Sequence, residues 1–302
     1  MPRSDNAPPK KPAQRPRGGG RTVLGVDFTS APGTIKPITV AVGTLRDAGD
    51  PVYSLEALRE LPSLAAFESW LREPGCWLGG FDLPFGQPRA LIEHEGWPTD
   101  WQAFVRFYCR QSRESLRDVF RRWCAGRPAG GKFAWRKADK PAGSSPAMRW
   151  TNPPVAWMMH AGIGRMLDAG LGFPAHRVVT AGAPGRARIA LEAYPAFTAR
   201  RVCRRSYKSD AAAGQTSERR ANRRLILEAL VAGMAGLDVK LALTPGLGRR
   251  LVADGAGDLL DAVICGLQAA HAAGRRRYGL PGALDPLEGW IASVPAPTAV
   301  DA

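Results

Sequence analysis

The stretch Thr22–Ala31, TVLGVDFTSA, is a short apolar run ending in one carboxylate, Asp27, and then in small hydroxylated residues. Val23, Leu24 and Val26 read as a buried strand, and a strand that delivers a single acid to its tip suits chemistry at the edge of a sheet. Gly25 leaves room for another element to come close. An acid closing a strand also serves as an ordinary turn or cap residue. The weight of Asp27 therefore depends on what the rest of the chain sets beside it.

Downstream, Ile35 to Leu45 reads as a second strand, with Pro37 placing its start early or at an edge. Asp47 to Pro51 is a turn cluster, and Val52 to Leu58 is a third strand. Ser63 can cap a helix running to about Glu73, with Leu64, Phe67 and Leu71 on one face, and Pro74-Gly75 stops it. Cys76 to Asp82 follows as a fourth strand, again closed by an acid. A helical crossover between the third and fourth strands would set the fourth parallel to the first. Asp27 and Asp82 would then emerge on the same side of the sheet.

The chain has 302 residues, 45% of them hydrophobic, enough for one large domain with a sizeable core. No apolar run approaches the ~18 residues of a membrane span, and the N-terminus lacks a signal-peptide core, so a cytoplasmic protein is expected. Five scattered cysteines (76, 109, 124, 203, 265) and four dispersed histidines (94, 160, 176, 271) argue against a disulfide framework and a zinc site. Any metal would have to be held by carboxylates. The net charge of +15 favours a polyanionic partner, most simply DNA or RNA, unless it reflects an arginine-rich composition alone.

That charge is unevenly spread. Residues 1–21 are rich in proline, glycine and basic groups, and are expected to be a disordered basic tail. Residues 86–150 look like the core of an insertion extending to about 170. The spacing predicts a helix over Trp101–Trp123 with arginines recurring along one face. A glycine- and proline-rich loop follows, carrying Arg136, Lys137, Lys140, Arg149, Trp135 and Trp150. Basic groups interleaved with aromatics suit single-stranded or looped nucleic acid, charge for phosphates and rings for bases. The same composition also suits a solvated lid with its aromatics packed underneath. A helix with a methionine stripe (Met158, Met159, Met166) reads as core. Residues 176–180 and 187–193 look like strands, the second bringing up Glu192, and residues 276–302 are expected to be a partly disordered extension.

Late in the chain, GDLLDAVICGLQAA (257–270) places Asp258 and Asp261 on one face at a helix start. The helix dipole favours acids there whatever their function, so Asp258 has a ready explanation as a cap. Asp261 leads straight into an apolar helix that must be buried. Clustered carboxylates without histidine or cysteine partners are hard oxygen ligands suited to Mg²⁺ or Mn²⁺. Two such ions can stabilise the attacking and leaving oxygens of an in-line phosphoryl displacement.

The motifs GVDFTSA (25–31), GFDLPFG (80–86), EAYPA (192–196), Tyr207-Lys208 and GDLLDAVICGLQAA resemble the DUF429 family, whose members are predicted nucleases with an RNase H-like fold. The resemblance spans most of residues 22–275. It implies a mixed five-stranded sheet flanked by helices, with a long basic helical insertion between strands 4 and 5. It also implies a metal-dependent nuclease with Asp27, Asp82 and Asp261 as catalytic acids. Asp258 and Glu192 are possible further metal ligands, and Lys208 with Arg136, Lys137, Arg149 and Trp150 would contact nucleic acid. Two other readings stay open: a binding module of the same fold without turnover, and a sugar-kinase-like ATPase. The second would need two related halves, where the chain shows one.

Overall fold

The computed structural model describes residues 20–47, 49–180 and 187–296. Nearly all of the expected basic tail and the end of the C-terminal extension lie outside the described residues. The chain is α/β, built on a six-stranded mixed sheet. Its strands are β1 (Arg21–Asp27), β2 (Ile38–Arg46), β3 (Val52–Leu61), β4 (Trp77–Asp82), β5 (Arg188–Glu192) and β6 (Lys240–Ala242). The spatial order is β5-β4-β1-β2-β3-β6. β1, β2 and β3 form the expected antiparallel meander. β4 lies parallel to β1, in a register that sets Asp82 directly beside Asp27.

The family resemblance implies five strands in the sheet; among the described residues it has six. The three residues Lys240–Ala242, which pair with the start of β3, are too short a run to carry a period-2 pattern. The strand expected at 176–180 is absent: Pro174–His176 forms a 3₁₀ turn, and Val178 makes only an isolated bridge to Phe173. Arg177, at φ +60°, leaves the extended path that a strand over these residues would need.

Helices cover both faces. α1 (Leu64–Leu71) is the crossover, capped by the Ser63 side chain accepting from the Ala66 N–H at 3.0 Å. Between β4 and β5 come α2 (Arg89–His94), α3 (Trp101–Arg110), α4 (Arg113–Ala125), α5 (Asp139–Ala142) and α6 (Val155–Asp168). The single helix expected over 101–123 is two, because the Ser112 hydroxyl accepts from the Ser115 N–H at 3.0 Å and restarts the chain as α4. Both bury an aromatic face (Phe104, Tyr108, Phe120, Trp123) and turn most of their arginines to solvent. After β5 come α7 (Pro195–Val202), α8 (Ser217–Ala232), α9 (Pro245–Ala253) and α10 (Asp258–Ala273). Residues 280–294 fold back so that Leu284, Trp290 and Ile291 are buried against Ala138 and Ala142, and Ile291 bridges to Glu192.

Alternation along β1 assigns each residue to a layer. Leu24, Val26 and Phe28 join the core shared with α1, α3, α4 and α6. Val23, Gly25 and Asp27 face α10. A Cβ at Gly25 would stand 1.9 Å from the Ala262 carbonyl oxygen and 2.2 Å from the Gly266 nitrogen, so helix backbone rests directly on strand backbone. This contact brings the first turn of α10 to the carboxylate tips of β1 and β4. Gly25→Ala must push the helix away, and urea unfolding is expected to show a loss of about 1–3 kcal/mol or more.

Candidate functional site

Five acids gather where β1, β4 and β5 end and α10 begins, and the structure sorts them by what each already touches. Asp261 is fully buried, and both its oxygens are taken. The Tyr207 hydroxyl donates to Oδ1 at 2.5 Å, and the Lys208 ammonium donates to Oδ2. Glu192 is also engaged. Arg136 forks onto it, Nη2 to Oε1 at 2.6 Å and Nη1 to Oε2 at 2.8 Å, and the Phe85 N–H donates to Oε2 at 2.9 Å. The carboxylates of Asp27, Asp82 and Asp258 have only electrostatic neighbours, with no hydrogen-bond partner among the described residues. These three line one cavity of about 650 Å³, which Lys208 also lines and Asp261 does not.

Asp258 is not the helix cap. The Asp254 carboxylate accepts from the Leu259 N–H at 2.9 Å and the Ala256 N–H at 3.2 Å, performing that task from outside the helix. Gly257, at φ +79°, turns the chain into α10 and lets the Lys208 stem lie against it; a Cβ there would stand 2.8 Å from the Lys208 Cβ. Thr39, the register neighbour of Asp27 on β2, donates its hydroxyl to the Asp258 carbonyl at 3.0 Å and pins the helix start to the sheet. The Asp258 side chain, nine-tenths buried, is left facing the cavity. The sequence signal for this division of labour was Asp254, four residues ahead of the acid it relieves.

Charge follows from that packing. Burial raises the Asp27 carboxyl well above the ordinary range; Lys208 opposes the shift, and Asp261, Asp258 and Asp82 add to it. Burial pushes Asp82 up to about 7, against Lys208 and with Asp261 and Glu192. Burial likewise lifts Asp258 to about 6, opposed by Lys36 and Lys208. Burial by itself would depress the Lys208 ammonium, but Asp261, Tyr207 and Asp27 outweigh it and hold it well above its ordinary value. Lys208 is thus a fixed cation within a carboxylate cluster that is short of positive charge.

The donor set suits a divalent cation: three unpartnered carboxylate side chains at the wall of one cavity, all hard oxygens. Among the described residues no group of three or more His, Cys, Asp or Glu side chains stands in ready coordinating geometry. Closing around an ion would therefore need side-chain rotation. A linkage effect follows. Asp82 and Asp258 bind protons more tightly folded (about 7 and about 6) than at the ordinary 3.8, so folding takes up protons between about pH 4 and 7. The stability these two groups contribute to the metal-free protein is present below that window and is lost as pH rises through it. Thermal unfolding in EDTA is expected to show Tm falling by several degrees from pH 5 to 8. Mn²⁺ should reverse the fall at pH 8, where it has no protons to displace.

The expected nucleic-acid contacts separate. Lys208 lies at the acids. Arg136 is 2% exposed and saturated by Glu192 and Asp139, with Nη2 2.8 Å from the Asp139 Oδ1, and together with Glu192 it lines the acidic cavity. Burial would weaken its charge, but the two carboxylates hold its pKa above the ordinary value. Lys137 is exposed, while its backbone N–H donates to Glu288 at 3.0 Å. Trp150 stacks on Phe120 at 5.8 Å and lines a separate depression with Arg121 and Lys132. Arg149 lies over the neighbouring Phe133, 6.0 Å from the ring centre, and stays outside the acidic cavity's lining. Among the described residues no helix is long and apolar enough to cross a membrane. No protein-family model matches the chain, nor does any curated protein or solved structure.

Proposed function

We propose that the protein is a metal-dependent phosphodiester hydrolase acting on DNA or RNA. The observation that carries this reading is the set Asp27, Asp82 and Asp258, each carboxylate without a partner among the described residues and all lining one cavity beside Lys208. The antiparallel meander followed by parallel β4 and β5 is compatible with the RNase H-like arrangement that the DUF429 resemblance implies. The net charge of +15 supplies attraction for a polyanion.

In this reading Asp27, Asp82 and Asp258 would hold Mg²⁺ or Mn²⁺. The ion, when bound, supplies Lewis-acid stabilisation of a phosphoryl oxygen and lowers the pKa of a water. Asp261 acts through Lys208, holding the ammonium at the cavity wall where it neutralises charge on a non-bridging phosphate oxygen. Tyr207, whose hydroxyl burial and Asp261 keep protonated, fixes the Asp261 orientation. Hydrolysis forms a bond from water to phosphorus and breaks one P–O ester bond, and the departing oxygen takes a proton. This differs from a site with Asp261 as a direct ligand.

The test is an assay of the full chain on single-stranded, duplex, branched and hybrid substrates with Mg²⁺ or Mn²⁺, alongside Mn²⁺ binding by electron paramagnetic resonance. Metal-dependent cleavage is expected, suppressed by EDTA. Absence of both cleavage and Mn²⁺ binding would overturn the reading. Salt-sensitive binding that survives EDTA, without turnover, would assign the protein to the non-catalytic binding class.

A further inference from the structure

The cavity against which the acids open is far larger than an ion requires. Its volume of about 650 Å³ lies in the range of roughly 300–1,000 Å³ that buries one small organic ligand. The acids and Lys208 share its lining with residues of the insertion and of the turn after β5: Pro154, Val155, Met158 and Tyr194. Pro154 is exposed, and Val155, Met158 and Tyr194 are half-buried, so apolar surface stays in water next to a concentrated set of charges. Apolar surface of that kind at a pocket mouth marks a place for a ligand. Thr29, Ser30 and Ser144 add hydroxyl groups to the same lining.

A ligand complementary to this cavity is apolar and flat at one end, polar at its edge, and phosphorylated at the other. We infer that the cavity receives one unpaired nucleotide unit, its base against the Pro154–Val155–Met158–Tyr194 wall and its phosphate toward Lys208 and the acids. The inference rests on the phosphodiester reading above and narrows its substrate class. A base held in a duplex is stacked on both sides and cannot enter a pocket of this size. A strand end, an extruded nucleotide or a free nucleotide can, and stacking on such a wall is sequence-tolerant. The Arg200 guanidinium lies 5.2 Å from the Tyr194 ring centre and the Tyr194 hydroxyl is hydrogen-bonded to Arg200 at 3.2 Å, so the ring is held in place before a ligand arrives.

The test uses 2-aminopurine fluorescence with the full chain, in Ca²⁺ and again in EDTA. The fluorophore is placed at the end of a single strand, in the interior of a blunt duplex, or in the free 5′-monophosphate. Quenching of the terminal base with no change for the duplex interior is expected. Val155→Arg, which crowds the mouth, should weaken single-strand binding by about tenfold or more, the equivalent of about 1.4 kcal/mol. Its Tm and Mn²⁺ affinity should match the parent protein. A free nucleotide that binds as tightly as the strand assigns the pocket to small nucleotides; a much weaker one assigns it to strand ends. Unquenched fluorescence in every arm, or equal binding of paired and unpaired bases with Val155→Arg silent, overturns the inference. Cleavage without quenching removes the pocket and leaves the hydrolase. Quenching without cleavage does the reverse.

Discussion

Asp27→Asn is expected to lower metal-dependent hydrolysis by about 10²–10³-fold, the loss of several kcal/mol of transition-state stabilisation that a displaced cation represents. The substitution is nearly isosteric, so β1 and its contact with α10 should remain. It removes one negative charge from a cluster whose members raise one another's pKa values. Mn²⁺ affinity should therefore fall by about tenfold or more, a loss of at least ~1.4 kcal/mol of binding. Tm in EDTA at pH 8 should hold or rise, because a buried and repelled carboxylate has been replaced by a neutral amide. The combination separates a functional acid from a structural one, whose loss would lower Tm. Full activity in Asp27→Asn would remove this residue from the site. Asp258→Asn should behave in the same way, and Asp254→Ala should cost stability by loss of the cap.

Arg136→Met is expected to destabilise the protein by about 3–5 kcal/mol, a large part of the ~5–15 kcal/mol available to a domain. The guanidinium is buried and joins three segments: Asp139 in α5, Glu192 at the end of β5, and the Glu288 carbonyl, which accepts from Nη1 at 3.3 Å. Methionine fills much of the volume but leaves Asp139 and Glu192 buried without a counter-ion. Burial already raises the Glu192 carboxyl and Arg136 opposes that shift, so without Arg136 Glu192 would be forced toward protonation, and the loss measured by urea unfolding should be smaller at pH 5 than at pH 8. Arg136→Lys should recover little, since an ammonium cannot reproduce the fork across two carboxylates. An unchanged midpoint for Arg136→Met would show that the triad does not hold the insertion to the sheet.

The first and fourth strands, the crossover helix and the acids at their tips were legible because their signals are local. Period-2 alternation, a serine cap and a Pro-Gly stop each act within a few residues. The short β6 pairing and the break between α3 and α4 were less so. Three residues carry no period, and the Ser112 cap sits inside a continuous apolar pattern that runs on through both helices. Arg136 illustrates the limit most clearly. In the sequence it is one base among several in a glycine- and proline-rich loop; in the fold it is among the most buried charges in the protein.

The sequence alone determined that Asp27 and Asp82 close neighbouring parallel strands, because strand order and crossover handedness leave few other layouts. It also determined that a slim, small-residue helix bearing Asp258 and Asp261 would dock on that sheet. Only the tertiary structure decided which acids are free. Tyr207 and Lys208 reach Asp261, and Arg136 reaches Glu192, across more than fifty residues of chain in each case. Asp254 relieves Asp258 of the cap. A carboxylate's availability depends on which donors approach within about 3 Å, and that is set by packing rather than by sequence neighbours.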